Sequence, residues 1–386
     1  MQTTRIWRHF DIWLLAAVAV LTIAGIAMIR SAIAGNELLA ETVKVVPRQT
    51  IYAVIGLVVV LIASAIDYRF WSSISRLIYI FIVAFLALIP IAGFAGFGSA
   101  RWFNVGIATV QPSELAKILM ILVLADYLDR HKDEINQTKI VIRSLLLIGL
   151  PAFFVFIQPD LSTAIVLGVI WLALIWAVGV PLRQLALLVS IPLIVILIIT
   201  PFLSHYFQVE YPQEKDFFFI QHYQMKRLVT FLFPESEVQY GETYNVDQAR
   251  ISIGSGGWFG KGYGHGTQVQ LRFLKVRHTD FIFSALSEEF GFVGALLFML
   301  LLMFVLVRCL RAAHMARDTY GALICYGVAI ILLFQGAFNI GMNLNLFPVS
   351  GLPLPFLSYG GSSLLANLLG IGLVESVILR HKRIEL

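Results

Sequence analysis

Asp280 has the clearest chemical potential of any residue in this 386-residue chain. It sits in His278-Thr279-Asp280, where a long polar segment re-enters an apolar run at Phe281. A carboxylate at such a boundary has a pKa set by its surroundings and suits proton transfer. Just upstream, seven glycines fall between Gly254 and Gly266, with Lys261 among them. Glycine lets backbone approach a ligand closely, so this loop is expected to border a binding site. Glu288 and Glu289 follow Asp280 by about two helical turns, roughly 12 Å at ~1.5 Å per residue. Adjacent residues diverge by about 100° around a helix, so at most one of the two can share a cavity with Asp280.

Other groups are placed where ionic chemistry is costly. Glu114 and Lys117 lie three apart on one helix face inside an apolar run. Ionisable groups there face a cavity or one another. An internal ion pair joining helices explains them as well as a substrate-binding role does. Arg101-Trp102 is either an interfacial anchor or a phosphate clamp beside a stacking platform for a sugar. Asn339, Asn343 and Asn345 serve equally as interhelical glue or as ligands. Cys309 and Cys325 flank a basic loop and suggest neither a disulfide framework nor a metal site.

The elements that must position these residues are transmembrane helices. The chain is 59% hydrophobic and 13% charged, with mean hydropathy +0.84, whereas a soluble domain is about 25% charged. The expected fold is an all-α polytopic membrane protein of about ten spans, at 12–33, 50–66, 77–97, 113–128, 142–157, 161–180, 184–203, 281–307, 320–345 and 356–379. Each is near the ~20 residues that cross a bilayer core. The uncharged run 12–29 exceeds a signal-peptide core, so it is read as the first span. With the N-terminus inside, the inner loops gather most Arg and Lys, while the short outer loops hold only Lys44, Arg48 and Arg101. Both termini are therefore cytoplasmic, and the long segment 204–280 between spans 7 and 8 is extracytoplasmic. The net charge of +5 reflects these loops and does not call for nucleic acid. Within the long loop, 216–233 reads either as an interfacial helix or as one packed on its own bundle. The whole chain, 1–386, reads as a single transmembrane domain.

Four helix starts face outward. Gln111-Pro112-Ser113-Glu114 opens span 4, Gln158-Pro159-Asp160 span 6, Thr279-Asp280 span 8, and Pro355 precedes span 10. Ordinary capping accounts for each alone. Together they would make a polar, anion-tolerant rim of positive dipole ends.

RWFNVG, QPSELAK, QPDLST, IGSGGWFGKG, HTDFIFS, EEFGFVGA and FPVSGLPLPFLSYGGSS, in that order from Arg101 to Ser363, resemble motifs of the SEDS family and specifically its RodA branch. The resemblance implies a peptidoglycan glycosyltransferase of the bacterial cytoplasmic (inner) membrane. It would polymerise lipid II at the outer face during elongation, releasing undecaprenyl diphosphate. Implied partners are a class B penicillin-binding protein, other elongation-complex proteins and membrane lipids. The family's essential acid falls on Asp280, its functional tryptophan on Trp102, and its span-4 residues on Gln111, Glu114 and Lys117. One departure is visible: the family often has Pro-Glu shortly before HTDF, whereas Lys275-Val276-Arg277 stand here.

Glycosyl transfer from a lipid diphosphate needs a base for the sugar hydroxyl and cationic or dipolar help for the leaving group. Asp280 is the expected base. Arg101, Trp102, Gln111, Glu114, Lys117, Lys261, His278 and Glu288 are the expected substrate-binding residues. A divalent cation, Mg or Mn, would be an optional aid, though no ligand cluster declares one. A lipid flippase or transporter also uses intramembrane charge and broken helix starts, but needs polar groups near the midplane reachable from both sides. A non-catalytic scaffold for a cell-wall synthase would tolerate replacement of Asp280.

Overall fold

In hydrocarbon the backbone has no water to bond, so apolar runs close their hydrogen bonds within helices. A computed structural model of the chain describes residues 7–34, 44–92, 94–96, 99–104, 109–205, 222–232, 242–274 and 276–381. Its first half comprises α1 (Ile12–Ala32), α2 (Val45–Ala65), the short α3 (Tyr68–Ser73), α4 (Ser75–Ala92), α5 (Pro112–Arg130), α6 (Thr138–Ile157), α7 (Leu161–Val178) and α8 (Leu182–His205). After the described parts of the long loop, α9 (His222–Leu232), α10 (Glu242–Ser255) and the one-turn α11 (Thr267–Gln270), come α12 (Ile282–Met315), α13 (Thr319–Asn343) and α14 (Gly361–Leu379). Among the described residues, a long helix covers most of each expected span. Seven are individually long and apolar enough to cross a membrane. α5 falls short of that hydropathy because it carries Glu114, Lys117, Asp126, Asp129 and Arg130.

α14 is predominantly apolar with no polar face, and is buried from Ser363 to Leu379 apart from Leu365 and Leu369, as befits a helix enclosed by others. It packs on α2 along its length and also meets α5, α12 and α13; α13 in turn packs on α5 and α7. The His9 and His381 rings stack edge to face with centroids 5.1 Å apart. The first and last described segments therefore meet at one end of the bundle.

Three features depart from expectation. A small antiparallel ribbon, β1 (Phe94–Gly96), β2 (Ser99–Asn104) and β3 (Thr109–Val110), sits between α4 and α5. The last span starts at Gly361, because 351–360 forms an irregular approach with Phe356 at φ +64°. α12 runs to Met315 but is interrupted at Gly291, whose φ of +67° and ψ of −166° are not helical.

Candidate active site

The segment 278–280 is held by three consecutive carbonyls. The Tyr359 amide donates to the His278 carbonyl at 2.9 Å, and the Ser358 hydroxyl donates to that of Thr279 at 2.7 Å. The Asp280 carbonyl accepts from the side-chain amides of Asn339 at 3.1 Å and Asn343 at 3.0 Å. Both asparagines are fully buried on α13. Asn339 also donates to the Leu352 carbonyl at 2.8 Å, and the Asn343 oxygen accepts from the Ser284 amide at 3.2 Å. Of the two readings open for these asparagines, they act as interhelical glue, and what they glue is the Asp280 backbone.

Asp280 lies just before α12 rather than on its cap. Phe281 is the N-cap, with no side-chain capping bond, and the helix starts at Ile282. A methyl group built on Gly351 would lie 3.9 Å from the Asp280 Oδ2 oxygen, which places the carboxylate beside the 350–352 turn. His278 faces Tyr359, ring centroids 5.9 Å apart, and the Arg48 charge lies near Tyr359. Burial, and secondly the neighbouring Arg277 charge, push the His278 imidazole down to about 4, so it is neutral near pH 7.

Arg277, at the site of the family departure, is buried. Its guanidinium donates to the Ala32 carbonyl at the end of α1 and to the Leu274 carbonyl at 3.2 Å. A cation suits a helix C-terminus.

The starts of α5, α7 and α14 meet in a polar girdle. The Gln111 side chain donates to Asp160 at 3.1 Å, and Asp160 caps α7 by accepting from the Thr163 amide at 3.2 Å. The Gln111 amide donates to Ser362 at 3.0 Å, in the first turn of α14. Ser162 donates to the Ser350 carbonyl at 2.6 Å, tying α7 to the turn beside Asp280. Next to this girdle a cavity of about 180 Å³ opens between α7, α9 and α13, lined by Ile165, Met225, Phe334 and Phe338 together with Arg227. α9 packs on the bundle through buried Met225 and Val229, and Gln224 donates to the Pro159 carbonyl at 3.0 Å. Of the two readings for 216–233, the described part follows the second.

The glycine-rich loop has a structural role. It lies against the interruption in α12. Lys261 and Gly262 amides donate to the Glu288 and Glu289 carbonyls at 3.0 and 2.9 Å, while the Phe292 and Val293 amides donate to the Gly257 and Trp258 carbonyls at 2.8 and 3.1 Å. A helix broken among apolar elements needs such replacement partners. The contact is too close for side chains: an added Cβ would come within 2.0 Å of the Ser287 oxygen at Gly256 and 2.2 Å of the Glu289 oxygen at Gly260.

Lys261 and Glu288, both expected to bind substrate, bind each other at 2.7 Å. Glu288 is 0% exposed and also accepts from the Gln268 amide at 3.0 Å and the Val269 amide at 3.3 Å, at the start of α11. Its carboxylate is directed into the loop and not into a cavity shared with Asp280. Glu289, equally buried, accepts from Ser31 of α1. Glu114 and Lys117 form a buried ion pair at 2.8 Å, with 5% and 1% of their surfaces exposed; both partners are on α5, so the pair lies within one helix and does not join two. Arg101 and Trp102 lie on β2, Trp102 opposite Phe94; their side chains fall outside the described residues, as does Lys275.

A family model described as "Cell cycle protein", covering FtsW, RodA and SpoVE, matches residues 12–383. The chain belongs to this family. Over 386 residues it is 34% identical to the probable peptidoglycan glycosyltransferase FtsW of Coxiella burnetii, covering 97% of each protein. Over 333 residues it is 35% identical to the peptidoglycan glycosyltransferase MrdB of Escherichia coli K12, covering 86% of this chain and 84% of MrdB. Among solved structures it resembles a chain from work on structural coordination of polymerization and crosslinking by a peptidoglycan synthase complex, with TM-score 0.77, 28% identity and coverage of 96% and 97%. It also resembles RodA of Thermus thermophilus, with TM-score 0.66, 27% identity and coverage of 96% of each chain. As a member of the FtsW/RodA/SpoVE family it is a glycosyltransferase and a multi-pass protein of the bacterial inner membrane.

The site residues that sequence reasoning missed as a group are Arg48, Ser358, Tyr359 and the pairing of Asn339 and Asn343 with Asp280. The polar run SYGG inside an apolar context was the available signal for the first tyrosine and serine.

Proposed function

We propose that this chain polymerises lipid II into glycan strands at the outer membrane face during cell elongation, with undecaprenyl diphosphate as leaving group and a class B penicillin-binding protein as cross-linking partner. The observation that carries the reading is the fixed presentation of Asp280. Its carbonyl, and the two before it, are tied to α13 and to the 350–360 stretch, so its carboxylate has a defined position at the rim. In this mechanism the Asp280 carboxylate takes the proton of an acceptor sugar hydroxyl as that oxygen bonds to the donor's anomeric carbon. The bond from that carbon to the diphosphate oxygen breaks, and the electron pair leaves with the lipid diphosphate.

Neutral His278 places no positive charge beside the base. Arg48, exposed and near Tyr359, is the cation we assign to the diphosphate, together with Arg101. Trp102 would stack on a sugar, and Gln111 would set the rim through Asp160. Lys117 and Glu114, buried in their pair, support α5, and Lys261 and Glu288 support the loop. The cavity bounded by Ile165, Phe334 and Phe338 suits part of a polyprenyl tail. Among the described residues no group of three or more His, Cys, Asp or Glu side chains fits a metal ion; an Mg or Mn ion would arrive on the diphosphate oxygens.

The deciding experiment supplies purified protein with labelled lipid II, with and without the penicillin-binding partner, and resolves the products by length. Polymer from the protein supports the reading. Movement of lipid II between leaflets without polymer would favour the transporter alternative.

A further inference from the structure

At the opposite end of the bundle from Asp280, a cavity of about 250 Å³ opens where the start of α1 meets the ends of α12 and α14. Arg308, Arg311, Ala312 and Met315 form one stripe of α12 along it, at helical spacings of three and four, and His9 and His381 line it from the two chain ends. Asp11 and Glu375 are the acids nearby. The Asp11 carboxylate is engaged twice, capping α1 through the Leu14 amide at 3.1 Å and pairing with Arg308, while Glu375 is buried and accepts from the Asp11 amide at 3.1 Å. Arg311 is exposed and has no acidic partner among the described residues. The cavity mouth therefore carries one uncompensated guanidinium beside a second that is held in place by Asp11.

The surface next to the cavity is apolar. Ile12 and Trp13, in the first turn of α1, are 71% and 72% exposed. A tryptophan beside arginines at a helix end marks the membrane–water interface. The excess of Arg and Lys at this end makes it the cytoplasmic one, where the leaflet carries anionic lipid. We propose that this cavity binds the headgroup phosphate of an anionic phospholipid of the inner leaflet, with Arg311 and Arg308 on the phosphate and the acyl chains running over Ile12 and Trp13. The site is separate from the glycosyl-transfer chemistry and does not depend on it.

The test uses the full chain in detergent micelles titrated with phosphatidylglycerol or phosphatidylcholine, with retained lipid counted by native mass spectrometry. Wild type is expected to retain phosphatidylglycerol preferentially. Arg311→Gln should weaken that retention about fivefold, the value of one interfacial Arg, and leave phosphatidylcholine unchanged. Arg311→Lys should keep most of the preference. Unfolding temperature checks each variant, and exposed Arg311 is expected to tolerate both changes. Equal retention of the two lipids by wild type, or undiminished phosphatidylglycerol retention by Arg311→Gln, overturns the proposal. A third arm adds inorganic phosphate alone: binding as tight as that of phosphatidylglycerol would mean a free-anion site and overturn the lipid assignment.

Discussion

The Asn343 side chain bridges α12 and Asp280, two residues before that helix. Its nitrogen donates to the Asp280 carbonyl at 3.0 Å and its oxygen accepts from the Ser284 amide at 3.2 Å. One buried amide thus sets both the carbonyl of the proposed base and the first turn of the helix that follows. Asn343→Leu would leave the Ser284 amide orphaned and the Asp280 carbonyl with Asn339 alone. A buried unsatisfied group costs about 1–3 kcal/mol. We expect a lower unfolding temperature and a polymerisation rate that falls further than the loss of folded protein explains. Unchanged turnover per folded molecule would show that Asn343 has no part in positioning Asp280.

Glu114 and Lys117 yield a stability prediction. Removing one partner of a buried pair strands a charge, at about 3–5 kcal/mol. Glu114→Gln and Lys117→Met should each lower thermal stability strongly. The double variant Glu114→Leu/Lys117→Met should recover much of that loss, because neither charge remains. Comparable loss in the double and single variants, measured by thermal unfolding, would contradict a mainly structural pair.

The glycines separate by contact. Gly260 has φ +79° and faces the Glu289 carbonyl, whereas Gly264 has φ +75° and open space around its Cα. Gly264→Ala meets only the left-handed backbone penalty, about 1–2 kcal/mol. Gly260→Ala meets that penalty and a clash with backbone that cannot move without breaking the α12–loop bonds. Folded yield should fall sharply for Gly260→Ala and modestly for Gly264→Ala.

Much of this architecture is local and therefore legible in sequence. The helices follow from apolar runs, the Glu114–Lys117 pair from spacing on one helix, and the Gln111–Asp160 rim from Pro-led helix starts. The role of the glycine loop was not legible. Its partners, Glu288 to Val293, lie about thirty residues downstream, and nothing in helical periodicity marks Gly291 as a break. Helical periodicity sets the direction of Glu288 but not its partners, and its carboxylate is taken up by Lys261 and the start of α11, about twenty to thirty residues upstream. The carbonyls of 278–280 were equally hidden, since main-chain acceptors have no residue signature.

His278 supplies a pH dependence. Its folded pKa, about 4, lies below the ordinary value of 6.5, because burial disfavours the charged ring. Between these values the unfolded chain holds a proton that the folded one does not. Stability contributed by this residue is complete above pH ~6.5 and is lost as pH falls towards 4, by at most about 1.4 kcal/mol per pH unit. His278→Gln, which has no such proton, should show a flatter fall in unfolding temperature over this window. Parallel curves for the two proteins would remove His278 from the acid response.

Asp280 carries the proposed chemistry, and the structure sharpens its test. The competing role for this carboxylate was helix capping, yet the N-cap of α12 is Phe281. The backbone contacts of Asp280 are made by its carbonyl, which any substitution retains. Asp280→Asn is nearly isosteric, so folding, partner binding and lipid II binding should stay close to wild type. An amide cannot accept the hydroxyl proton as a carboxylate does, and loss of a general base typically costs about 10²–10⁴-fold in rate. Asp280→Glu should also be weak, because the fixed backbone cannot retreat to make room for the added methylene and the carboxylate moves off position. Polymerisation of labelled lipid II at matched folded protein, read beside thermal unfolding, measures both effects. Asp280→Asn that polymerises within a few-fold of wild type would remove Asp280 as the base. Glu288 and Glu114 are both paired with lysines inside the protein, so Asp160, on the same rim, would then be the next carboxylate to replace.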